Sequence, residues 1–131
     1  MKGTSTVPAG YAAQVLHVLR GANMQLTSDQ PFTRLFGGTA YKITEVVARQ
    51  RTGAASVACT GGIYTAAAKA GDILVPAAQS WVTLAANINV KAVLAALIDT
   101  NLESATPFLS LTVASTAPCT ADIFILGFPV D

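Results

Sequence analysis

Residues that end or weaken helices recur through the alanine-rich middle of this sequence. Gly61-Gly62, Gly71-Asp72 and Pro76 each stand within about ten residues of the next. An isolated helix needs roughly 12–15 residues to be stable, and every window of that length in this region contains one of these breakers. They outweigh the high helix propensity of the surrounding alanines, so the sequence predicts short strands joined by turns.

Alternation of apolar and polar residues locates the predicted strands. Leu109, Leu111 and Val113, for example, alternate with polar residues, which is typical of a half-buried strand. The predicted strands are 15–19, 24–26, 41–50, 56–59, 63–67, 73–75, 81–84, 107–113 and 122–128, with the last two forming a hairpin. Segment 90–99 fits the apolar period of a helix as well as a buried strand, and its neighbours favour a strand.

Many short strands with Gly and Pro turns predict an all-β fold. Units of the βαβ type would need helices between the strands, so we expect a small single-domain β-sandwich or a jelly-roll-like barrel. A chain of 131 residues is long enough to bury one hydrophobic core. We expect one β domain over residues 11–131 and an N-terminal arm over residues 1–10 that orders on a neighbouring molecule.

The composition limits the partners of such a domain. The sequence is 52% hydrophobic but only 11% charged, with a formal net charge of +1. This charge is too small to attract nucleic acid or an anionic membrane, and no run of about 20 apolar residues could span a bilayer. The first residues do not match a secretory signal, which predicts synthesis in a cytoplasm. We therefore expect the surplus apolar surface to be covered by further copies of the chain or by a larger assembly.

Residues that could support catalysis or bind a cofactor are few and scattered. His17 is the only histidine and lies inside an apolar strand, which favours a packed or interface histidine over a catalytic one. Glu45 is interpreted as facing solvent or a partner subunit rather than as a catalytic carboxylate. Asp99 and Glu103 are interpreted as solvated carboxylates, with a cation site as the alternative. The sequence thus predicts no enzyme, no cofactor and no metal site.

The two cysteines are predicted to be structural. Cys59 and Cys119 are too few for a disulfide scaffold, and they have neither a C-x-x-C spacing nor a nearby histidine. Free cysteines are usually buried. We expect both side chains to be reduced and either buried or half-buried.

Three arginines and two aromatic residues are the candidate contact residues. Arg49 and Arg51 stand close together at a predicted strand end, and with Arg34 they form the most concentrated positive charge. Arginine binds carboxylates in a planar, bidentate geometry, so we predict a docking contact here, with a solvated strand end as the alternative. Tyr64 and Trp81 stand alone rather than in a stacking platform, which predicts a place in the core or at a subunit interface.

Four segments resemble one family of proteins. Residues 58–71 (ACTGGIYTAAAKAG) and 73–81 (ILVPAAQSW) are similar to part of the capsid decoration, or cement, proteins of tailed bacteriophages. Residues 108–112 (FLSLT) and 121–127 (ADIFILG) resemble the end of the same proteins. The resemblance implies a small β-rich domain, commonly a homotrimer, that binds the outer surface of the major capsid protein shell and stabilises the head. It also implies a location on the capsid surface of the virion, and it supplies no catalytic residues.

Two alternative functions stay open for the sequence. One is another structural position in the virion, as a head fibre, neck or tail component. The other is a carbohydrate-binding jelly-roll module in which Trp81 or Tyr64 provides a stacking face for sugar rings. The first would differ from a cement protein in copy number, and the second would need an aromatic side chain at the surface.

Overall fold

A computed structural model describes residues 13–82, 84–85, 89–95 and 103–130 of the chain. The described residues form strands, turns and irregular segments, with no helix among them. The strands are β1 (Gln14–Asn23), β2 (Gln30–Pro31), β3 (Thr33–Arg34), β4 (Ala40–Gly53), β5 (Thr60–Ala66), β6 (Ala70–Val75), β7 (Asn89–Lys91), β8 (Phe108–Val113) and β9 (Cys119–Val130). The predicted all-β class is therefore confirmed.

The strands form two antiparallel sheets that pack against each other as a sandwich. One sheet has five strands in the order β3-β1-β9-β4-β7, and the other has four in the order β2-β8-β5-β6. The pairs β1 with β9, β2 with β8, β4 with β7 and β5 with β6 are nested as in a double-sheet jelly roll. Strand β3 adds a short edge beside β1. The two sheets do not close into a barrel, so the sandwich form of the prediction is the one observed.

The hydrophobic core lies between the two sheets and draws on both. Ile123 and Ile125 on β9 meet Ile63 on β5 and Leu109 on β8 in one cluster of fully buried side chains. Residues alternate along β9 between buried and half-buried positions, as expected for a strand with one face in the core. This alternation identifies the inner and outer faces of the five-stranded sheet.

A β-bulge changes the alternation within β4. Tyr41 and Ile43 are buried, and after a register shift between Ile43 and Glu45 the next buried residues are Val46 and Ala48. Strict alternation from Tyr41 and Ile43 would place Glu45 on their buried face, and the structure does not show this. The extra residue of the bulge reverses the alternation and turns Glu45 to the outer face, because successive side chains point to opposite faces.

Three predicted strands are instead turns or irregular segments. These are the predicted strands at 24–26, 56–59 and 81–84. Met24, Cys59 and Trp81 of these segments fill the core, whereas Leu26, Val57 and Val82 are exposed. Their backbones form isolated hydrogen bonds to other segments, for example from Met24 N–H to the Cys119 carbonyl and from Trp81 N–H to the Cys59 carbonyl. Apolar residues in short segments therefore did not indicate strand pairing here.

The predicted hairpin at the end of the chain is also wrong. Strand β8 belongs to the four-stranded sheet and β9 to the five-stranded sheet, so the turn between them crosses the sandwich. Among residues 90–95, the first two belong to strand β7. The N–H of Ala92 then donates to the Val46 carbonyl on one sheet, and the N–H of Ala95 donates to the Leu74 carbonyl on the other. Residues 96–99 and the predicted arm over residues 1–10 lie outside the described residues.

Candidate interaction surface

The outer face of the five-stranded sheet carries a row of apolar side chains. Val18 on β1 pairs with Phe124 on β9, and Phe124 pairs with Val47 on β4, so the three lie side by side. Val15 and Leu126 pair with each other on the same face. None of these five residues belongs to the core cluster, although the alternating residues of β9 do. We call Val15, Val18, Val47, Phe124 and Leu126 the outer apolar face.

The side chains of the outer apolar face cover one another only in part. Val18 is 5% exposed, whereas the other four are half-buried. β-Branched and aromatic neighbours pack well across a pleated surface, which accounts for this partial mutual burial. The outer apolar face is therefore an ordered, water-facing apolar surface with well-defined neighbours.

Charged residues stand on β4 and β9 at the two ends of this face. Glu45 pairs with Leu126 at one end, and Arg49 pairs with Asp122 at the other. Asp122 Oδ1 accepts the N–H of Gly21 at 2.8 Å and lies 3.5 Å from an Nη atom of Arg51. The side chain of Arg51 is 51% exposed, so this ion pair contributes little to stability.

The structure separates the three predicted arginines. Arg49 and Arg51 lie together on β4, whereas Arg34 lies on the edge strand β3, with β1 and β9 between them. The guanidinium of Arg34 stacks over Phe36 at 4.2 Å and donates to the carbonyls of Gly38 at 2.6 Å and Ser104 at 3.2 Å. Arg34 is thus engaged within its own chain, while Arg49 is exposed.

Tyr64 and Trp81 are both buried, so neither presents the aromatic stacking face that a sugar site would need. Trp81 is 0% exposed in the core, where its indole N–H donates to the Gly61 carbonyl at 3.1 Å. Tyr64 is 4% exposed and lies outside the core cluster, with its hydroxyl next to Gly62 on the four-stranded sheet. The sequence around these two residues did not indicate that Trp81 lies in the core between the sheets and Tyr64 lies outside it.

His17 is packed among aromatic rings and is not available for catalysis. It is 0% exposed and contacts Tyr41 and Phe36 edge to face, at ring-centroid distances of 4.8 and 5.6 Å. Both ring nitrogens lack a hydrogen-bond partner among the described residues. Burial, and then the charge of Arg34, lower the pKa of His17 from 6.5 to about 4, so the ring is neutral at neutral pH. The packed histidine of the prediction is observed.

Glu103 departs from its predicted solvated state. It is 6% exposed and forms a two-way backbone bridge with Tyr41, at 2.8 and 3.0 Å. Burial, followed by a side-chain hydrogen bond with Asp72, raises the pKa of Glu103 from 4.5 to about 7. The carboxyl pair thus links β6 of one sheet to the start of β4 in the other. Asp99, the predicted neighbour of Glu103, lies outside the described residues.

Both cysteines are free and buried, as the sequence predicted. Burial, and then the nearby Cys119, raise the pKa of the Cys59 thiol to about 11. Burial also raises the pKa of Cys119. Both side chains therefore act as small apolar residues at neutral pH, because the reactive thiolate is disfavoured.

A shallow surface pocket of about 330 Å³ offers little for ligand recognition. It is lined by Pro76, Ala78, Gln79, Ser80 and Val93. The Gln79 amide is already used within the chain, since its oxygen accepts the Val93 N–H at 2.7 Å and its nitrogen donates to the Ser80 carbonyl at 2.8 Å. Within the described parts of the chain, no cluster of three or more potential metal ligands occurs.

The described residues contain no helix long and apolar enough to cross a membrane.

Comparisons with known proteins identify no relative of this chain. No family model, curated protein or solved structure matches this chain. A function is therefore inferred from the fold, the outer apolar face and the sequence resemblance.

Proposed function

We propose that this chain is a capsid decoration, or cement, protein of a tailed bacteriophage. In this role it binds the outer surface of the major capsid protein shell and stabilises the head. The observation that carries the proposal is the outer apolar face, which Glu45 and Arg49 border at its two ends. Such a face serves packing against a neighbouring subunit of an assembly better than it serves chemistry.

The fold agrees with this role without deciding it. Double-sheet jelly rolls recur in viral capsid domains and also in lectins, so the fold alone carries no function. The sequence resemblance at residues 58–71, 73–81, 108–112 and 121–127 favours the capsid role. A lectin role receives no support from Trp81 or Tyr64, since both are buried.

A cement protein acts by adding contact area across joints between capsomers. A surface with few charges reduces the desolvation cost of burying that area. The half-exposed Arg51 supplies a guanidinium group for carboxylates of the shell, a contact that suits the planar geometry of arginine. Arg34 is less suited to this contact, because it already donates to the carbonyls of Gly38 and Ser104 and stacks over Phe36. The resemblance further implies a homo-oligomer, commonly a trimer.

The capsid role is tested on shells assembled with and without this chain. We expect decorated shells to release their contents at a higher temperature than bare shells, measured by heating with a DNA-binding dye. An Arg51→Ala variant should occupy fewer sites, because it removes the shell-facing guanidinium group. Lys69→Ala, on the turn between β5 and β6, is the matched control and should leave occupancy unchanged. Equal heat resistance of bare and decorated shells would rule the role out.

Copy number separates a cement protein from other virion components. A decoration protein is present at each capsomer or capsomer joint, whereas a neck or tail component occurs in a small fixed number per particle. Quantitative mass spectrometry of purified particles against the major capsid protein measures this ratio. A ratio far below one copy per capsomer would move the chain to a head fibre, neck or tail position.

A further inference from the structure

We propose that a second copy of this chain packs on the outer apolar face. In this dimer a twofold axis runs along the row formed by Val18, Phe124 and Val47. The inference rests on the proposed function for its biological use, and it deepens that function by naming the surface and the symmetry of the self-contact. A twofold contact gives a dimer, in place of the trimer that the resemblance implies.

The row at the proposed axis is apolar across three neighbouring strands. Val18 on β1, Phe124 on β9 and Val47 on β4 occupy paired positions, so they form a straight line across the sheet. In a dimer about this line, each of the three side chains meets its own counterpart in the second copy. Lys91 on β7 pairs with Val47 and ends the row at the exposed rim, where solvent screens its charge.

The charges on β4 are placed symmetrically about this row. Glu45 stands two residues before Val47 and Arg49 two residues after it, so all three project from the same face. With a rise of about 3.3 Å per residue, each charge lies roughly 6.6 Å from the row, on opposite sides. Neither side chain forms a hydrogen bond or ion pair with another described residue.

This charge pattern favours a twofold axis along the row over one parallel to the strands. An axis along the row reverses the strand direction of the second copy, so Glu45 of each copy faces Arg49 of the other. An axis parallel to the strands would set β4 against β1 and place Glu45 opposite Val15, which leaves the acid unpaired. Stacked sheets lie about 10 Å apart, a gap that facing Glu and Arg side chains can span.

The two kinds of contact have different effects in this dimer. Burial of the apolar row supplies the driving force for association. The two symmetry-related pairs of Glu45 with Arg49 set the register and discourage other arrangements, as charged pairs at interfaces commonly do. The outer face of the four-stranded sheet also has an apolar row, formed by Phe108, Tyr64 and Ile73, but the residues two positions away on these strands, such as Gly62 and Ser110, carry no charge.

Sedimentation equilibrium of the full-length chain and of charge variants tests the proposal. We expect a dimer whose Kd rises about tenfold or more in Glu45→Arg, because two like-charge contacts replace two ion pairs. Arg49→Glu should weaken the dimer by a similar factor. The exchange E45R/R49E restores opposite charges and should return the Kd to within about threefold of the parent value. Lys69→Glu, a charge reversal on the other sheet, is the control and should leave the Kd unchanged.

Several results would overturn the proposal. A chain that stays monomeric, a chain that forms trimers, or a charge exchange that does not restore the dimer would each exclude this contact. Circular dichroism of every variant distinguishes loss of the dimer from loss of the fold, and the two single reversals serve as independent variants. Decoration of shells by a monomeric chain would refute the dimer and leave the proposed function intact. Dimers that never bind shells would refute only the function.

Discussion

At the residue scale, burial decides what the chemically interesting side chains of this protein can do. His17, Trp81 and the two cysteines are all enclosed, and each is held in its neutral or apolar form. The sequence suggested packed roles for His17 and the cysteines because they lie among apolar or small residues. It could not distinguish a core tryptophan from an interface tryptophan, because both need the same apolar surroundings along the chain.

Trp81 is the largest fully buried side chain, and its loss should destabilise the sandwich strongly. We expect Trp81→Ala to lower the free energy of unfolding by about 3–5 kcal/mol, since it leaves a cavity and frees the Gly61 carbonyl. Urea denaturation followed by circular dichroism measures this loss. The neighbouring Val82→Ala, at a position 41% exposed, should change stability by less than about 0.5 kcal/mol. Similar values for the two variants would contradict the core position of Trp81.

At the element scale, the bulge in β4 determines which side chains of this strand face the core and which face outward. The bulge lies opposite Gly127 on β9, where a Cβ atom would come within 1.9 Å of the Lys42 carbonyl oxygen. Beyond the bulge, Val46 faces the core while Glu45 and Val47 face outward. The outward orientation of Glu45, Val47 and Arg49 on β4 therefore depends on this one irregularity.

Gly127 should accept no larger residue, because the atoms that a Cβ would meet belong to the backbone. We expect Gly127→Ala to cost about 1–3 kcal/mol of unfolding free energy, as overpacked positions do. Gly37→Ala is the matched control, since a Cβ at Gly37 meets nothing within 4 Å. That control should be neutral or stabilising by up to about 1 kcal/mol. Thermal unfolding of both variants gives the comparison, and an unchanged Gly127→Ala protein would show that β4 and β9 can separate at the bulge.

The sequence predicted well those strands that can be recognised from their own residues, whatever strand they pair with. Strands β4, β5, β8 and β9 follow from alternation and from β-branched residues, which act within a few positions along the chain. The hairpin of β8 with β9 was wrong because a turn between two strands looks the same whether the chain stays in one sheet or crosses to the other. Which sheet a strand joins depends on how segments distant in the sequence pack together.

At the scale of the whole molecule, two buried groups give the fold opposite responses to pH. The folded chain keeps a proton on Glu103 up to about pH 7, so the stability from this group is full below pH 4.5 and is lost towards pH 7. The folded chain excludes a proton from His17 down to about pH 4, so its stability is full above pH 6.5 and is lost towards pH 4. The two contributions oppose each other across the overlapping range.

Single substitutions should expose each contribution separately. In Glu103→Gln the contribution of His17 remains, so stability should rise as the pH increases from about 4 to 6.5. In His17→Phe the contribution of Glu103 remains, so stability should fall as the pH increases from 4.5 to about 7. Urea unfolding at a series of pH values measures both slopes, and the double variant should lack both. Slopes of the same sign in the two single variants would contradict these assignments.

The sequence by itself determined the all-β class, the alternating strands and the buried cysteines. These follow from helix breakers, side-chain alternation and residue size, which act over a few neighbouring positions. Only the tertiary structure decided the jelly-roll order, the carboxyl pair of Asp72 with Glu103 and the row of Val18, Phe124 and Val47. Each of these depends on register between strands that are distant in the chain, and register is set by how the two sheets fill their shared core.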